Sequence, residues 1–306
     1  MSKQAKGIIL AASGAALWGI SGAAAQYLFA TTNISNTWLV GLRLLGAGVL
    51  LTLWCLLKQP HQLRAMVTNR GNLKLLILFA ILGMTNSQLS YFLAIKYSNA
   101  PTATVIQYLQ PVFIIIWLAI STHRLPRRID CFSIALALVG TFFLATGGQL
   151  NQLTLTPVAL FWGIWCAAAA ALYTLLPRPL LNRFDALPVC GLAMLISGVL
   201  LSPSLVMIPA PHLNLLAWGL VAYIVIGGTM FSYTLFLQSI RYISPAATGI
   251  LSAFEPLVAT ILAVTLLGTQ LTWAAVFGSV LILLTTVLQA IPFRKFAVFL
   301  HWPHLR

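Results

Sequence analysis

Ten apolar stretches, each about as long as a helix that crosses a bilayer, follow one another along the 306-residue chain. A transmembrane helix needs about 20 predominantly apolar residues, and no stretch long enough for a soluble domain remains between the ten. We therefore predict an all-α integral membrane protein. Its ten transmembrane helices are expected at roughly residues 7–29, 37–57, 73–94, 101–121, 130–147, 157–176, 187–208, 215–239, 246–267 and 272–291.

Composition supports a membrane protein over a soluble one. Only 7% of the residues are charged and the mean hydropathy is +0.96, whereas soluble domains carry about a quarter charged residues. Seventeen Lys and Arg against three acidic residues would suggest nucleic-acid binding if they formed a patch on a soluble domain. They lie instead in short gaps between the apolar stretches. We therefore expect a lipid bilayer as the partner, and no nucleic acid.

The basic residues also predict how the chain is oriented, because cytoplasmic loops of membrane proteins are enriched in Lys and Arg. If the N-terminus is cytoplasmic, fifteen of the seventeen fall on the cytoplasmic side. Lys96 alone lies outside, and Arg43 lies within the second span. We predict a multi-pass protein of the inner (plasma) membrane with both termini in the cytoplasm.

The second half of the chain repeats the first. At an offset of 145, residues 95–97 (Ile-Lys-Tyr) align with 240–242 (Ile-Arg-Tyr), and 110–111 (Gln-Pro) align with 255–256 (Glu-Pro). Each unit has five helices, an odd number, so the two units must enter the membrane in opposite senses. We predict two inverted five-helix repeats, residues 1–150 and residues 151–306 with a short cytoplasmic tail. Inverted repeats are typical of secondary transporters, whose substrate site lies near the membrane midplane.

Four segments of the chain resemble the EamA-type branch of the drug/metabolite transporter (DMT) superfamily. They are "ALWGISGAAAQYL", "RLLGAGVLL", "YLQPV" and "AFEPLVATILAVTLLG", in predicted helices one, two, four and nine. The resemblance implies ten helices in two inverted repeats, around a central cavity lined mainly by helices one, three, four, six, eight and nine. It does not identify the substrate, since such proteins have been linked to export of amino acids, amines, drugs and other metabolites.

The chain departs from the family pattern at one place in each repeat. Family members often carry Gly-Glu just after helices four and nine, where this chain has His123-Arg124 and Gly268-Thr269. A glutamate at a helix end near water affects capping more than transport. Its loss leaves Glu255 as the only acidic residue deep in the membrane.

Glu255 is the candidate proton-coupling or cation-binding group. It lies about nine residues, or ~13 Å, into predicted helix nine, where an ionised carboxylate costs at least ~2.5 kcal/mol. It must therefore be protonated, paired or exposed to a wet cavity. The structural alternative is a carboxyl that helps satisfy backbone groups freed by Pro256. Gln110, its counterpart in the first repeat, has the same shape without the charge, so we expect a proton or cation at helix nine.

Polar and aromatic side chains at comparable depth complete the candidate cavity. Gln107 and Gln110 are expected to face Ser252 and Glu255 as two polar stripes, with helix–helix hydrogen bonding as the alternative for Gln107 and Ser252. The aromatic rings would hold an ammonium group through cation–π contacts, or simply pack. The remaining candidates are Trp18, Asn86, Gln88, Tyr91, Tyr108, Trp165, Tyr173 and Tyr233.

Arg43, about seven residues into predicted helix two, is the candidate for gating or anion binding. Its guanidinium could bind a substrate carboxylate or pair with Glu255. Its long stem could also carry the charge to the headgroups. We favour a structural or gating role, and the sequence leaves the other readings open.

These features predict a secondary active transporter, a proton-coupled antiporter that exports a small amino acid, amine or related metabolite. The alternatives are uncoupled or cation-selective uptake of a quaternary ammonium compound or nutrient, and a non-transporting role as a lipid scramblase or membrane assembly component. The sequence has no Walker loop, no His and Cys with metal-ligand spacing and no second deep carboxylate, so we expect neither an enzyme nor a cofactor or metal. A small-molecule substrate and protons are the expected partners, and both a monomer and a homodimer stay open.

Overall fold

The computed structural model describes residues 2–290 apart from 124, 127, 150–152, 210, 240, 244–246 and 249–250. The described residues are mainly helical and include no strand. Three features of the prediction lie outside the described residues: the division between the repeats at 150 and 151, the start of helix nine at 246, and the tail from 291. Ten helices follow the ten predicted spans: α1 (Lys3–Thr31), α2 (Asn36–Lys58), α3 (Arg70–Tyr97), α4 (Ala100–Gln107 and Gln110–Thr122), α5 (Arg128–Thr146), α6 (Pro157–Leu175), α7 (Ala186–Met207), α8 (Leu215–Ser239), α9 (Phe254–Leu267) and α10 (Trp273–Ala290).

The helices have the length and composition of membrane spans. Eight of the described helices are long and apolar enough to cross a bilayer, and α9 and the described apolar part of α10 are shorter apolar helices. Two short helices were not predicted, Pro60–Thr68 between α2 and α3 and Arg178–Leu181 after α6. In the first of these, only Leu63 and Met66 are buried, so the segment has too few apolar residues to register as a span.

Equivalent helices of the two halves pack against each other in antiparallel pairs. In the α2–α7 pair, Gly48 lies against Leu195 and Gly198 lies against Leu45, so residue numbers rise along one helix as they fall along the other. α5 and α10 form a second such pair, and α1 packs on α8 and α9 as α6 packs on α3 and α4. The fold is therefore an all-α membrane bundle of two inverted five-helix repeats.

The α2–α7 pair depends on glycine at the crossing point. A Cβ added to Gly48 would lie 2.4 Å from the backbone nitrogen of Leu195, and one added to Gly198 would lie 2.4 Å from that of Leu45. Without a hydrophobic driving force between helices in lipid, such close backbone approach supplies the packing that holds membrane helices together.

We expect Gly48→Ala to lower the free energy of unfolding by about 1 to 3 kcal/mol, the usual cost of overpacking a close contact. Thermal unfolding of the purified protein in detergent measures this as a lower Tm. Gly219→Ala in α8 is the matched control, because nothing lies within 4 Å of its added Cβ. Equal Tm values for the two variants would contradict the proposed packing.

α3 and α8 contain π-helical turns at nearly equivalent positions of the two repeats, Phe79–Thr85 and Ile226–Phe231. A π turn leaves backbone carbonyls without their usual α-helical partners. In α3, the Ala80 carbonyl accepts hydrogen bonds from the Thr85 and Ser197 hydroxyls, each at 2.9 Å. In α8, the Thr229 hydroxyl donates to the Ile224 carbonyl at 2.7 Å. Side-chain hydroxyls thus stabilise both irregular turns.

α4 and α9 are interrupted at the other pair of equivalent positions. Turns at residues 108–109 and 252–253 precede Pro111 and Pro256, each of which is within the first turn of the helix that follows. Proline lacks the N–H for an i→i−4 bond, and its ring clashes with the carbonyl four residues before it. For this reason predicted helix nine, placed at 246–267 as one continuous span, is interrupted: residues 247–248 and 251 are helical, a turn follows at 252–253, and α9 continues as Phe254–Leu267. Interruptions of this kind near the midplane surround the binding sites of many transporters.

Candidate functional site

A cavity of about 480 Å³ lies between the two repeats. Residues of α1, α3, α4, α6, α8 and α9 line it, as the family resemblance implied, and α2 adds Arg43. The lining brings together eleven of the thirteen residues proposed from the sequence: Trp18, Arg43, Gln88, Tyr91, Gln107, Tyr108, Gln110, Tyr173, Tyr233, Ser252 and Glu255.

The other two residues, Asn86 and Trp165, are not among the residues that line this cavity. Trp165 is 46% exposed, and its indole Nε1 donates a hydrogen bond to Asn86 Oδ1 at 2.9 Å. The pair connects α3 with α6 away from the cavity. Their depth along the helices was predictable from the sequence, but the face on which they lie was not.

Small hydroxyl residues of the lining were missed by the sequence reasoning. Ser21, Ser87, Thr174 and Thr248 all line the cavity. Ser21 lies three residues after Trp18 and so on the same helix face, a signal that could have found it. Thr174 gives no comparable signal, and its role becomes visible only through the hydrogen bond that its Oγ1 accepts from Gln110 Nε2.

Aromatic rings form one wall of the cavity. The Trp18 ring meets Tyr233 edge-on, with ring centres 4.9 Å apart, and lies 4.8 Å from Phe236. Gln88 Nε2 donates to the Tyr233 hydroxyl at 3.4 Å. Gln88 and Tyr233 are separated by the repeat offset of 145 residues, so equivalent positions of the two repeats meet here across the interface.

Glu255 lies in the first turn of α9, directly after the interruption. α1 approaches closely here, since a Cβ added to Gly19 would lie 2.5 Å from the Glu255 carbonyl oxygen. The residue is half-buried, and its carboxylate interacts electrostatically with Arg43 and Tyr91 on other walls of the cavity.

Tyr108 satisfies the backbone group that Pro256 leaves without its helical partner. In a continuous helix, the N–H of residue 256 would bond to the Ser252 carbonyl. That carbonyl instead accepts hydrogen bonds from the Tyr108 hydroxyl at 2.7 Å and the Glu255 backbone N–H at 2.9 Å. The structural alternative expected the Glu255 side chain to satisfy backbone groups freed by Pro256. At this carbonyl, the Tyr108 hydroxyl and a backbone N–H do so instead.

Arg43 is buried, with 3% of its surface exposed. Its Nε donates to Thr229 Oγ1 at 2.5 Å, its Nη2 donates to the Gly228 carbonyl at 3.4 Å, and its guanidinium lies 4.8 Å from the centre of the Phe92 ring. The side chain therefore joins α2 to the π turn of α8. It neither reaches the headgroups nor forms a direct ion pair with Glu255, two readings that the sequence had left open.

The bundle is closed at the end where α1 finishes. Gln26 Nε2 donates to Thr269 Oγ1 at 2.9 Å, and Gln26 Oε1 accepts from the Ala100 backbone N–H at 2.8 Å. These bonds connect α1, the start of α4 and the segment after α9. The cavity lining stops short of this end, because residues 100–106 are packed in the interior. The predicted topology would place this closed end outside the cell.

Inverted repeats, interrupted helices and a cavity between the halves that polar and aromatic side chains line define a class of protein, the membrane transporter. The family model described as "EamA-like transporter family" matches residues 5–146 and 157–290, once in each half. The chain belongs to this family, within the DMT superfamily, as predicted from the four segments. It is therefore a transporter and not an enzyme.

Two individual proteins are similar over nearly the whole chain. The uncharacterized inner membrane transporter YicL of Salmonella typhimurium (strain LT2) is 34% identical over 297 residues, covering 96% of this chain and 98% of its own. A solved structure described only as "Crystal structure of protein" superposes with a TM-score of 0.63 at 18% identity, covering 96% of this chain and 99% of its own. At that identity the second likeness shows the fold alone.

Proposed function

We propose that this chain is a proton-coupled antiporter of the inner membrane, with both termini cytoplasmic, that exports a small metabolite bearing a protonated amine, such as an amino acid or amine. The observation that carries the proposal is the position of Glu255. It is the one acidic side chain among the described residues that line the cavity, and it lies where α9 is interrupted between the repeats. YicL, the relative named above, is an inner membrane transporter.

Exchange follows from the chemistry of a single carboxylate. A proton or a substrate ammonium group neutralises it, and occupancy by one excludes the other. Tyrosine and thiol side chains are ordinarily uncharged at neutral pH, so Arg43 carries the only formal charge that opposes Glu255 among the described residues. The titratable or charged groups that face it are Arg43 from α2, Tyr91 from α3, Tyr108 from α4, Cys166 from α6 and Tyr233 from α8.

The aromatic wall favours a second candidate, uptake of a quaternary ammonium compound without proton coupling. Such cations bind to the faces of Trp and Tyr rings, and Trp18 and Tyr233 meet edge-on at the cavity. A quaternary ammonium group has no N–H to donate to a carboxylate. In this second candidate function, Glu255 attracts the cation by its negative charge only, and transport does not require exchange of a proton.

Flux into proteoliposomes, measured with and without a pH gradient, separates the two candidates. The probes are labelled amino acids, putrescine and choline, with the membrane potential clamped by potassium and valinomycin and a pH-sensitive dye inside the vesicles. We expect a gradient to accelerate movement of an amino acid or amine, with protons moving the opposite way. Choline flux that ignores the gradient, without amino acid or amine flux, would replace proton antiport with uncoupled uptake.

A further inference from the structure

Three buried polar atoms at the cavity have no hydrogen-bond partner: Arg43 Nη1, Ser21 Oγ and Gln88 Oε1. Their residues are 3%, 2% and 8% exposed, and all three line the cavity. A buried donor or acceptor without a partner costs free energy, and a charged donor costs most. In a cavity that receives a substrate, such atoms are the expected contacts of that substrate.

The guanidinium of Arg43 is held in one orientation by its other contacts. Thr229 binds Nε, the Gly228 carbonyl binds Nη2, and the Phe92 ring lies against the plane of the group. These contacts leave Nη1 as the guanidinium nitrogen without a hydrogen-bond partner. The donor is therefore fixed in position before any substrate arrives, which lowers the entropic cost of binding.

Ser21 supplies a second donor at the same place. A Cβ added to Gly228 would lie 2.5 Å from Ser21 Oγ, so this hydroxyl is beside the residue whose carbonyl binds Arg43. The guanidinium and the hydroxyl both lie beside Gly228 and both have an atom without a partner, so together they can bind the two oxygens of a carboxylate. Hydrogen bonds to an ionised acceptor are the strong ones.

We propose that Arg43 and Ser21 bind the carboxylate of a zwitterionic substrate of the amino-acid type, whose ammonium group binds Glu255. The inference rests on the proposed function, because it assigns the amine to Glu255. A simple amine would leave Arg43 Nη1 and Ser21 Oγ without partners. A dicarboxylate would place a second negative charge near Glu255. A zwitterion satisfies both ends, and Gln88 Oε1 remains as a further acceptor for its ammonium group.

Matched ligand sets test this assignment at one fixed pH. Each set contains an amino acid, its amide and the amine that lacks the carboxyl group: leucine with leucinamide and isopentylamine, phenylalanine with phenylalaninamide and phenethylamine, and threonine with threoninamide and 1-aminopropan-2-ol. Thermal shift and tryptophan fluorescence of the purified full chain report binding. We expect at least one amino acid to bind about tenfold or more tightly than its amide and amine, the loss expected for a hydrogen bond to a charged group.

Two variants connect this preference to the proposed residues. Arg43→Gln is expected to abolish the preference for the amino acid over its amide. Because Arg43 also joins α2 to α8 and its loss can unfold the protein, Ser21→Ala is the second variant. It removes a buried hydroxyl that has no protein partner, so Tm is expected to stay the same or rise while amino-acid binding weakens several-fold. Ser202→Ala in α7, where the hydroxyl bonds only within its own helix at 2.8 Å, is the matched control.

Three results would overturn the inference: amides or amines that bind as tightly as the amino acids, a preference unchanged in both variants, or no binding by any set. Its failure differs from that of the proposed function. If an amine binds and its binding depends on Glu255 but not on Ser21, the carboxylate site would be rejected and proton antiport would remain. If the preference for the amino acid depends on Arg43 but flux does not respond to a pH gradient, the carboxylate site would stand and proton antiport would fail.

Discussion

Replacing Glu255 with glutamine is expected to abolish accumulation driven by a pH gradient while the protein stays folded. Glutamine keeps the shape of the side chain but takes up no proton, and Gln110 already occupies the equivalent position of the first repeat. One proton exchanged per substrate makes each pH unit worth about 1.4 kcal/mol, or a tenfold concentration ratio. Proteoliposomes with clamped potential should thus accumulate about tenfold per pH unit with the wild type and none with the variant.

The control for this variant is another acid-to-amide substitution outside the membrane. Asp185 is exposed and accepts a hydrogen bond from Gln62 Nε2 at 3.0 Å. Asp185→Asn should retain the tenfold ratio per pH unit. A Glu255→Gln protein that still accumulates substrate in response to pH would remove Glu255 from the coupling step.

Cross-linking the closed end is expected to stop transport altogether. Alternating access requires each end of the cavity to open in turn, and Gln26 connects α1 to Thr269 at the closed end. Cysteines at both positions, each joined by a disulfide bond to a short bifunctional methanethiosulfonate reagent, would prevent that opening. Flux should fall to the level of protein-free vesicles and return when a reductant cleaves the link. Cys131 is exposed and should first be replaced by serine.

The single Gln26→Cys variant, treated with the same reagent, controls for modification of the site without a link. It is expected to transport at the rate of its untreated form. Mass spectrometry of the treated double variant establishes that the link has formed. Normal flux through fully cross-linked protein would mean that this end does not open during transport.

The membrane class, the ten spans and the inverted repeat could be predicted because each follows from local properties of the chain. An apolar stretch of about 20 residues already satisfies its backbone as a helix and matches the bilayer. Helix nine shows where such reasoning fails. Hydropathy is continuous from residue 246, but Pro256 removes a backbone hydrogen bond, and a turn at residues 252–253 separates the helical residues before it from α9, which begins at Phe254.

The candidate site divides in the same way. The depth of Glu255 could be read by counting residues along a helix, and its pairing with Gln110 came from the repeat. The partners of Arg43 could not be predicted, because Thr229 is 186 residues away in the chain and offers its hydroxyl only within the π turn of α8. Asn86 was predicted to line the cavity and does not. Helical periodicity shows which residues share a face, but it does not show which neighbouring helix that face contacts.

The sequence by itself determined that this protein is an all-α membrane protein of ten helices and that its two halves repeat in opposite orientation, and it predicted a single carboxylate deep in the bilayer. Those properties depend on how each segment is solvated and on its sequence similarity to the equivalent segment of the other repeat. Both can be read from residues that are neighbours in the chain. Only the tertiary structure decided that Arg43 and Ser21, both beside Gly228, each keep a buried atom without a partner, and that Gln26 connects the helices at one end. Hydrogen bonds between distant segments require both partners in place, and packing between the two repeats brings them there.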